Sequence, residues 1–221
     1  MNLCSTQTFF RGMVIAWLAT IGVGTATPVA PPWSLLPQPA KISQAASGAV
    51  EIANGTVVSV RGADRAQVQS LIERFVQRVA DTNGLRLSVA NDSPHPIIIF
   101  EVNTAADVAD ESGYRIVINN AGIHIIARTP RGAFYGSVTL SQLLTQPGWS
   151  HGTPVKVAYG SIDDRPRFVW RALLLDSGRH YQNTTDIEKL IDWMSLNKLN
   201  VLLWHLTEDQ GWRLEIPKYP E

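Results

Sequence analysis

The sequence holds a single cysteine, Cys4, so one chain can form no internal disulfide and no thiolate-based zinc site. It also lacks charge of one sign: 19 basic residues balance 19 acidic ones, and no run of five or more Lys or Arg occurs. Without a net field or a basic tract, nothing draws in a phosphate backbone, which argues against nucleic acid as a partner. A Gly-x-Ser-x-Gly elbow and a P-loop are both absent, which speaks against esterase and nucleotide chemistry. Gly22 and Gly24 start a dinucleotide-like pattern, but Thr27 stands where a third glycine belongs. The histidines are too scattered for a metal shell. His205 and Glu208 stand three apart at a strand end rather than on a helix, while His95, His124 and His151 read as structural, so neither a metal nor a cofactor is expected.

What is present is enough apolar material for a packed core: 45% of residues are hydrophobic and 17% charged, a globular balance. The first 26 residues read as an export leader. Arg11 precedes the apolar stretch from Gly12 to Gly24, too short for a comfortable membrane span, and small residues follow as far as Ala26. Cleavage there would leave a mature chain without thiols in the periplasm or outside the cell, free of the membrane; an uncleaved N-terminal anchor is the alternative. Residues 27–40 contain five prolines and read as an extended lead-in.

Residues 41–160 are predicted to form an α+β sandwich domain. Val57, Val58 and Val60 suggest a strand. Asp64 then caps a helix whose buried face carries Val68, Leu71, Ile72, Phe75 and Val79, stopped by Asn83-Gly84. Leu85–Val89 and Ile97–Val102 read as strands, the second apolar enough to want burial on both faces. Tyr114, Ile116 and Ile118, a turn at 119–122, then Ile123, Ile125 and Ala127 give the alternation of a hairpin. Thr129-Pro130 opens a second helix running toward Leu143-Leu144.

After a loop at 146–154 and a polar joint at 163–167 the pattern changes. Ala172–Leu175 is a short buried-strand run. Thr185 with Glu188 forms a capping box ahead of Ile187, Leu190, Ile191 and Met194, and residues 200–206 give a second strand run. Strand, helix, strand at this spacing predicts a βαβ unit with parallel strands. Polar residues just past such strands gather at one rim. Here they are Asp176, Arg179, His180 and Tyr181 after the first strand, and His205, Glu208, Asp209 and Trp212 after the second. A guanidinium, an imidazole, carboxylates and an indole at one mouth suit a neutral polyol such as a sugar.

The segments 167–181, 190–200 and 203–213 resemble the start of the catalytic (β/α)8 barrel of glycoside hydrolase family 20, the β-N-acetylhexosaminidases. Tyr114, the run from Thr129 to Gly136 and Leu140–Leu144 resemble the α+β domain that precedes that barrel. The likeness covers most of residues 35–221. It implies removal of terminal N-acetylglucosamine or N-acetylgalactosamine with retention, the substrate's own acetamido oxygen serving as nucleophile. It also implies that Arg179 grips the hydroxyls at C3 and C4, that Glu208 and Asp209 match the acidic pair after the second strand with His205 as a supporting rim histidine, and that the partner is an N-acetylhexosamine-containing oligosaccharide or glycan; Trp212 is a candidate substrate-binding residue from the rim pattern alone. Glu208 stands where many members have Asp, which leaves its hydrogen-bond partner open.

The family also needs an Asp-Glu pair at the end of a later strand. A full barrel takes about 250 residues, whereas residues 166–221 provide 56, room for one βαβ unit of an incomplete TIM barrel. The expectation is therefore a truncated, inactive fragment whose last segment needs further polypeptide to cover it. The competing readings are that Arg179 merely neutralises Asp176 or Asp209, and that the chain is an exported, non-catalytic docking or folding module. Asn54-Gly-Thr56 and Asn183-Thr-Thr185 are glycosylation sequons.

Overall fold

The computed structural model describes residues 32–62, 65–91 and 93–219. The expected leader with Cys4, and Asp64 as a helix cap, lie outside the described residues. The first part comprises β1 (Lys41–Ile52), β2 (Val57–Gly62), α1 (Arg65–Asn83), β3 (Ser88–Val89), β4 (Ile98–Val102), β5 (Tyr114–Asn119), β6 (Gly122–Ala127), α2 (Pro130–Leu143) and β7 (Val155–Asp164). These strands form one seven-stranded sheet in the order β1-β7-β5-β6-β4-β2-β3. It is mixed: β3, β2, β4 and β6 are mutually parallel, while β5, β7 and β1 join antiparallel.

Both helices lie against this sheet and against each other. Val68, Ile72, Phe75 and Val79 recur at helical spacing on α1 and are fully or almost fully buried, in one core with Ile98, Phe100, Ile116, Ile123 and Ile125 of the sheet. Each such side chain contributes about 1.5–3 kcal/mol of burial. Thr129 caps α2, its hydroxyl accepting from the Gly132 N–H, with Pro130 at the first turn. Gly136 lets α2 settle close to the sheet, since a Cβ there would stand 2.6 Å from Ile125 Cγ2.

Several expectations are corrected. The apolar run of β4 is not buried on both faces: Ile98, Phe100 and Val102 are sealed under the helices, whereas Ile97 and Ile99 are half-buried, because α1 and α2 cover a single face. Of the segment Leu85–Val89 only Ser88 and Val89 pair with β2. The Arg86 N–H and C=O are instead bonded by Asn54 Oδ1 and the Gly55 N–H, while Leu85 and Leu87 go into the core. Two further strands, β1 and β7, complete the sheet: β1 is rich in Ala, Ser and Gly with an irregularity between Gln44 and Ala49, and β7 alternates only over its short start, Val155 and Val157 buried about an exposed Lys156. The strand β7 carries the sheet past residue 160, because Asp163 and Asp164 pair in register with Arg115 and Tyr114. The described part of the lead-in, from residue 32, is also docked: Gln142 and Gln146 exchange hydrogen bonds with the main chain of Leu36 and Ser34, and Leu35 is buried.

The second part begins with β8 (Ala172–Asp176), α3 (Thr184–Leu196) and β9 (Val201–His205), followed by a small ribbon of β10 (Thr207–Glu208) and β11 (Gly211–Trp212). The strands β8 and β9 are parallel, in register from Ala172 opposite Val201 to Asp176 opposite His205. The helix starts earlier than predicted. Asn183, rather than Thr185, is the cap: its Oδ1 accepts from the Asp186 N–H at 2.9 Å while its Nδ2 donates to the Asp186 carboxylate at 2.8 Å, a reciprocal box two residues upstream. On α3 only Ile187 and Met194 are buried, and Leu174 and Leu203 remain 62% and 54% exposed. A pair of strands flanked by one helix cannot bury the apolar runs that a larger parallel sheet would enclose.

Candidate functional site

The register of β8 and β9 decides what meets at their carboxyl ends. Asp176 is the last residue of one strand and His205 the last of the other, directly opposite. The turn after β8 folds over this end, with the Ser177 and Gly178 N–H groups both donating to the His205 carbonyl at 2.9 and 3.1 Å. That turn projects Arg179. Its Nη1 lies 2.7 Å from Asp176 Oδ2 and its Nη2 lies 2.8 Å from Glu208 Oε2, so one guanidinium bridges carboxylates supplied by the two strand ends. The His205 ring stands between the same acids, Nδ1 3.5 Å from Asp176 and Nε2 3.5 Å from Glu208.

The Arg179 side chain remains 44% exposed, at the rim rather than beneath the sheet. The main-chain N–H of Arg179, followed by its guanidinium, holds the Asp176 carboxyl below the usual carboxylate range. The Glu208 carboxyl is lowered likewise, first by the Asp209 N–H and further by the Arg179 charge. Bonding to Asp176 in turn raises Arg179. Both acids are therefore ionised near neutrality and the cluster presents a fixed fork of donors flanked by acceptors.

Arg179, His205 and Glu208 are thus brought together. Asp209 meets them through its main-chain N–H, which donates to Glu208 Oε1 at 3.1 Å. Trp212 lies on β11 opposite Thr207, with its side chain 60% exposed. The open question about Glu208 resolves into Arg179 and the main chain of Asp209. Arg179 neutralises Asp176 as the competing reading supposed, and pairs with Glu208 rather than Asp209 as its second acid.

Sequence reasoning passed over three supports. Asp176, which the pattern puts at the rim without a binding role, fixes Arg179 through both main chain and side chain. Ser177 Oγ accepts from Trp204 Nε1 at 2.9 Å and donates to Gln182 Oε1. Arg213 donates from Nε to the Ser177 carbonyl and stacks over Tyr181, bracing the turn from the β11 side. The ribbon rests so close that a Cβ on Gly211 would stand 2.3 Å from the Gly178 carbonyl oxygen. The Arg213 and Gly211 contacts reach the main chain of the turn, which leaves no side-chain pattern to read, and the Ser177 and Asp176 contacts join residues whose pairing only the turn decides. His95, His124 and His151 all lie in the sheet part, and among the described residues no group of three or more His, Cys, Asp or Glu is arranged to hold a metal ion.

A mixed-sheet domain followed by a parallel βαβ unit with this polar rim is an arrangement found among carbohydrate-cleaving enzymes, and sequence comparison makes the class specific. Residues 33–165 match glycosyl hydrolase family 20, domain 2, and residues 168–221 match the family's catalytic domain. The chain belongs to glycosyl hydrolase family 20 and corresponds to an N-terminal portion of it. It is 33% identical over 190 residues to a β-hexosaminidase of Porphyromonas gingivalis, covering 85% of this chain and 24% of that protein. It is 31% identical over 188 residues to the N,N′-diacetylchitobiase of Vibrio harveyi, covering 85% and 20%. The chain therefore spans between a fifth and a quarter of the length of these relatives. Among solved structures it is similar to the Streptomyces plicatus N-acetyl-β-hexosaminidase in complex with Thio-NAglucal, with TM-score 0.73, 31% identity and coverage of 88% of this chain and 38% of that one. The GH20 exo-β-N-acetylglucosaminidase of Vibrio harveyi in complex with N-acetylglucosamine is similar at TM-score 0.72 and 28% identity, over 84% and 27%.

Proposed function

We propose that residues 166–221 are the first βαβ unit of a (β/α)8 barrel and that its rim grips the terminal, non-reducing N-acetylglucosamine or N-acetylgalactosamine of an oligosaccharide or glycan. The observation that carries this reading is Arg179, held between Asp176 and Glu208 from two neighbouring strand ends with part of its guanidinium open to solvent. A guanidinium whose direction is set in advance loses little freedom when it donates to two adjacent sugar hydroxyls, and a fixed acid beside it accepts from a third. Trp212, exposed on the neighbouring ribbon, offers an apolar face to a sugar ring.

Hydrolysis in this reading is retaining and substrate-assisted, the acetamido oxygen attacking the anomeric carbon while an acid protonates the leaving oxygen. That acid and its acetamido-orienting Asp are not among the rim residues. The sequence holds one Asp-Glu dipeptide, Asp110-Glu111, and it lies in the turn before β5 of the sheet part. We accordingly assign these 221 residues a binding edge without turnover, within an enzyme acting in the periplasm or outside the cell.

The test is hydrolysis of p-nitrophenyl N-acetyl-β-glucosaminide by the 221-residue chain and by the product of its gene read onward from codon 221. Turnover by the longer product, lowered on the order of tenfold to a hundredfold in kcat/KM by Arg179→Ala, is the expected result. Turnover by the 221 residues alone, or indifference of the longer product to Arg179→Ala, overturns the assignment.

A further inference from the structure

Lys198 is the one non-glycine residue with positive φ among the described residues, at φ 58°. It follows the cap residue Asn197 of α3. The Leu199 N–H bonds back to the Met194 carbonyl at 2.9 Å and the Lys198 N–H to the Ser195 carbonyl at 3.0 Å, the double bond pattern that ends many helices. Glycine is the usual occupant of this position because a Cβ is unfavourable in the left-handed region. A lysine held there against its backbone preference directs attention to its side chain.

That side chain is buried in the sheet domain. Its Nζ donates to Tyr114 Oη at 2.7 Å and to Asp164 Oδ2 at 2.9 Å, and sits 4.9 Å from the Tyr114 ring centroid. Tyr114 opens β5, Asp164 closes β7, and the two are joined at 2.6 Å, with Thr139 of α2 at 2.6 Å on the other side of the phenol oxygen. Arg171, the residue before β8, makes a second crossing. Its Nη2 donates to Tyr135 Oη of α2 at 2.8 Å with the guanidinium 5.3 Å from that ring centroid, and its Nε donates to the carbonyl of Lys198 itself at 2.7 Å. Two cations from the βαβ unit thus enter the sheet domain side by side, and each meets a tyrosine.

We infer that Lys198 and Arg171 form a two-pronged lock that fixes the βαβ unit in one orientation on the sheet domain, and that lysine is kept in a glycine position for this purpose. The prongs enter beside the amino ends of β8 and β9. Asp176 and His205 close the carboxyl ends of the same two strands, about 15 Å away at some 3.3 Å per residue, so the sheet domain sets the direction of the rim from below. Removing one partner of a buried ion pair leaves the other uncompensated, which is why a merely space-filling side chain is no substitute. This inference stands independently of which sugar the rim accepts.

Amide hydrogen exchange on the full 221-residue chain tests it. Lys198→Gly relaxes the helix end, so a residue serving only as a cap would leave exchange in β8 and β9 unchanged or slower. The lock instead requires the amides of Leu173–Leu175 and Leu202–Trp204 to exchange at least tenfold faster in Lys198→Gly, with Phe100 and Ile125 unchanged and most protection restored in Lys198→Arg. Should Lys198→Gly not fold, Tyr114→Phe leaves the Lys198–Asp164 pair in place and removes one acceptor; a smaller loosening of the same amides supports the lock, and none overturns it.

Discussion

Arg179 and Glu208 touch at 2.8 Å across 29 residues of chain, the guanidinium following the first parallel strand and the carboxylate following the second. The contact exists because β8 and β9 end level with one another, Asp176 facing His205.

Glu208→Asp keeps the charge but withdraws it by one methylene, so the bond to Arg179 is lost while the pairing of Arg179 with Asp176 remains. In a longer chain that completes the proposed barrel, KM for a chromogenic N-acetylglucosaminide should rise severalfold, less than for Arg179→Ala. An equal or larger effect from Glu208→Asp would mean that the acid, rather than the arginine, dominates recognition.

The pH dependence of the rim follows from the lowered carboxyls. A group whose folded pKa is depressed contributes stability that is present above its unfolded pKa and lost as pH falls through the folded one. Asp176 and Glu208 should therefore stay ionised, and the Arg179 bridge intact, until the pH falls below the usual carboxylate range. Side-chain carboxyl NMR titration of the two residues reads this directly; midpoints at or above ordinary carboxylate values would contradict it.

Tyr114 gives a second, alkaline signature. Burial, then the adjacent Asp164 charge, pushes its phenol well above the ordinary value. A raised pKa contributes stability that is complete below the unfolded pKa and lost as pH rises through the folded one. The phenolate absorbance of Tyr114, obtained as wild type minus Tyr114→Phe, should lag the ordinary phenol range and emerge only as the chain opens. Ionisation of Tyr114 in the normal range, with structure retained, would show it to be solvated.

Asn183→Ala should destabilise the βαβ unit by about 1 kcal/mol, the cost of a lost helix cap, with Thr185→Ala within roughly 0.5 kcal/mol of wild type. Urea unfolding followed through Trp193 and Trp204 fluorescence compares the two. The reverse ranking would place the cap at Thr185.

In the sheet domain, Phe100→Ala removes a fully buried ring that meets Phe75 edge-on at 5.6 Å between centroids, and should cost about 3–5 kcal/mol in the same kind of denaturation curve. A loss below 1 kcal/mol would mean that the core is looser than its burial indicates.

The parts legible in the sequence were those whose burial repeats at the period of the element. Val68, Ile72, Phe75 and Val79 mark α1, and Ile116, Ile118, Ile123 and Ile125 mark the hairpin, because one face of each is sealed. Thr129 and Pro130 announced α2 through local bonding alone. The strand β1 escaped notice because its exposed Ala, Ser and Gly residues owe their conformation to β7, more than a hundred positions away. At the rim, the turn after β8 and the acids after β9 were visible as residue types. The identity of each partner was not, since the bonds to His205 and from Arg213 run through the main chain. Lys198 gave no signal, as an exposed lysine in a helix-ending turn would look the same.

The pairing of β1 with β7 also sets the order in which this chain is assembled. Lys41 lies opposite Asp163 and Ile52 opposite Val155, and β1 sits at the sheet's edge, where among the described residues β7 is its only hydrogen-bonded neighbour. Of the strands of this sheet a ribosome releases β1 first and its partner last, so β1 waits unpaired while everything between them is synthesised. The small and polar side chains of its middle, Ser43 to Gly48, then serve as protection, offering little that another nascent polypeptide could adhere to until β7 arrives to cover Val50 and Ile52.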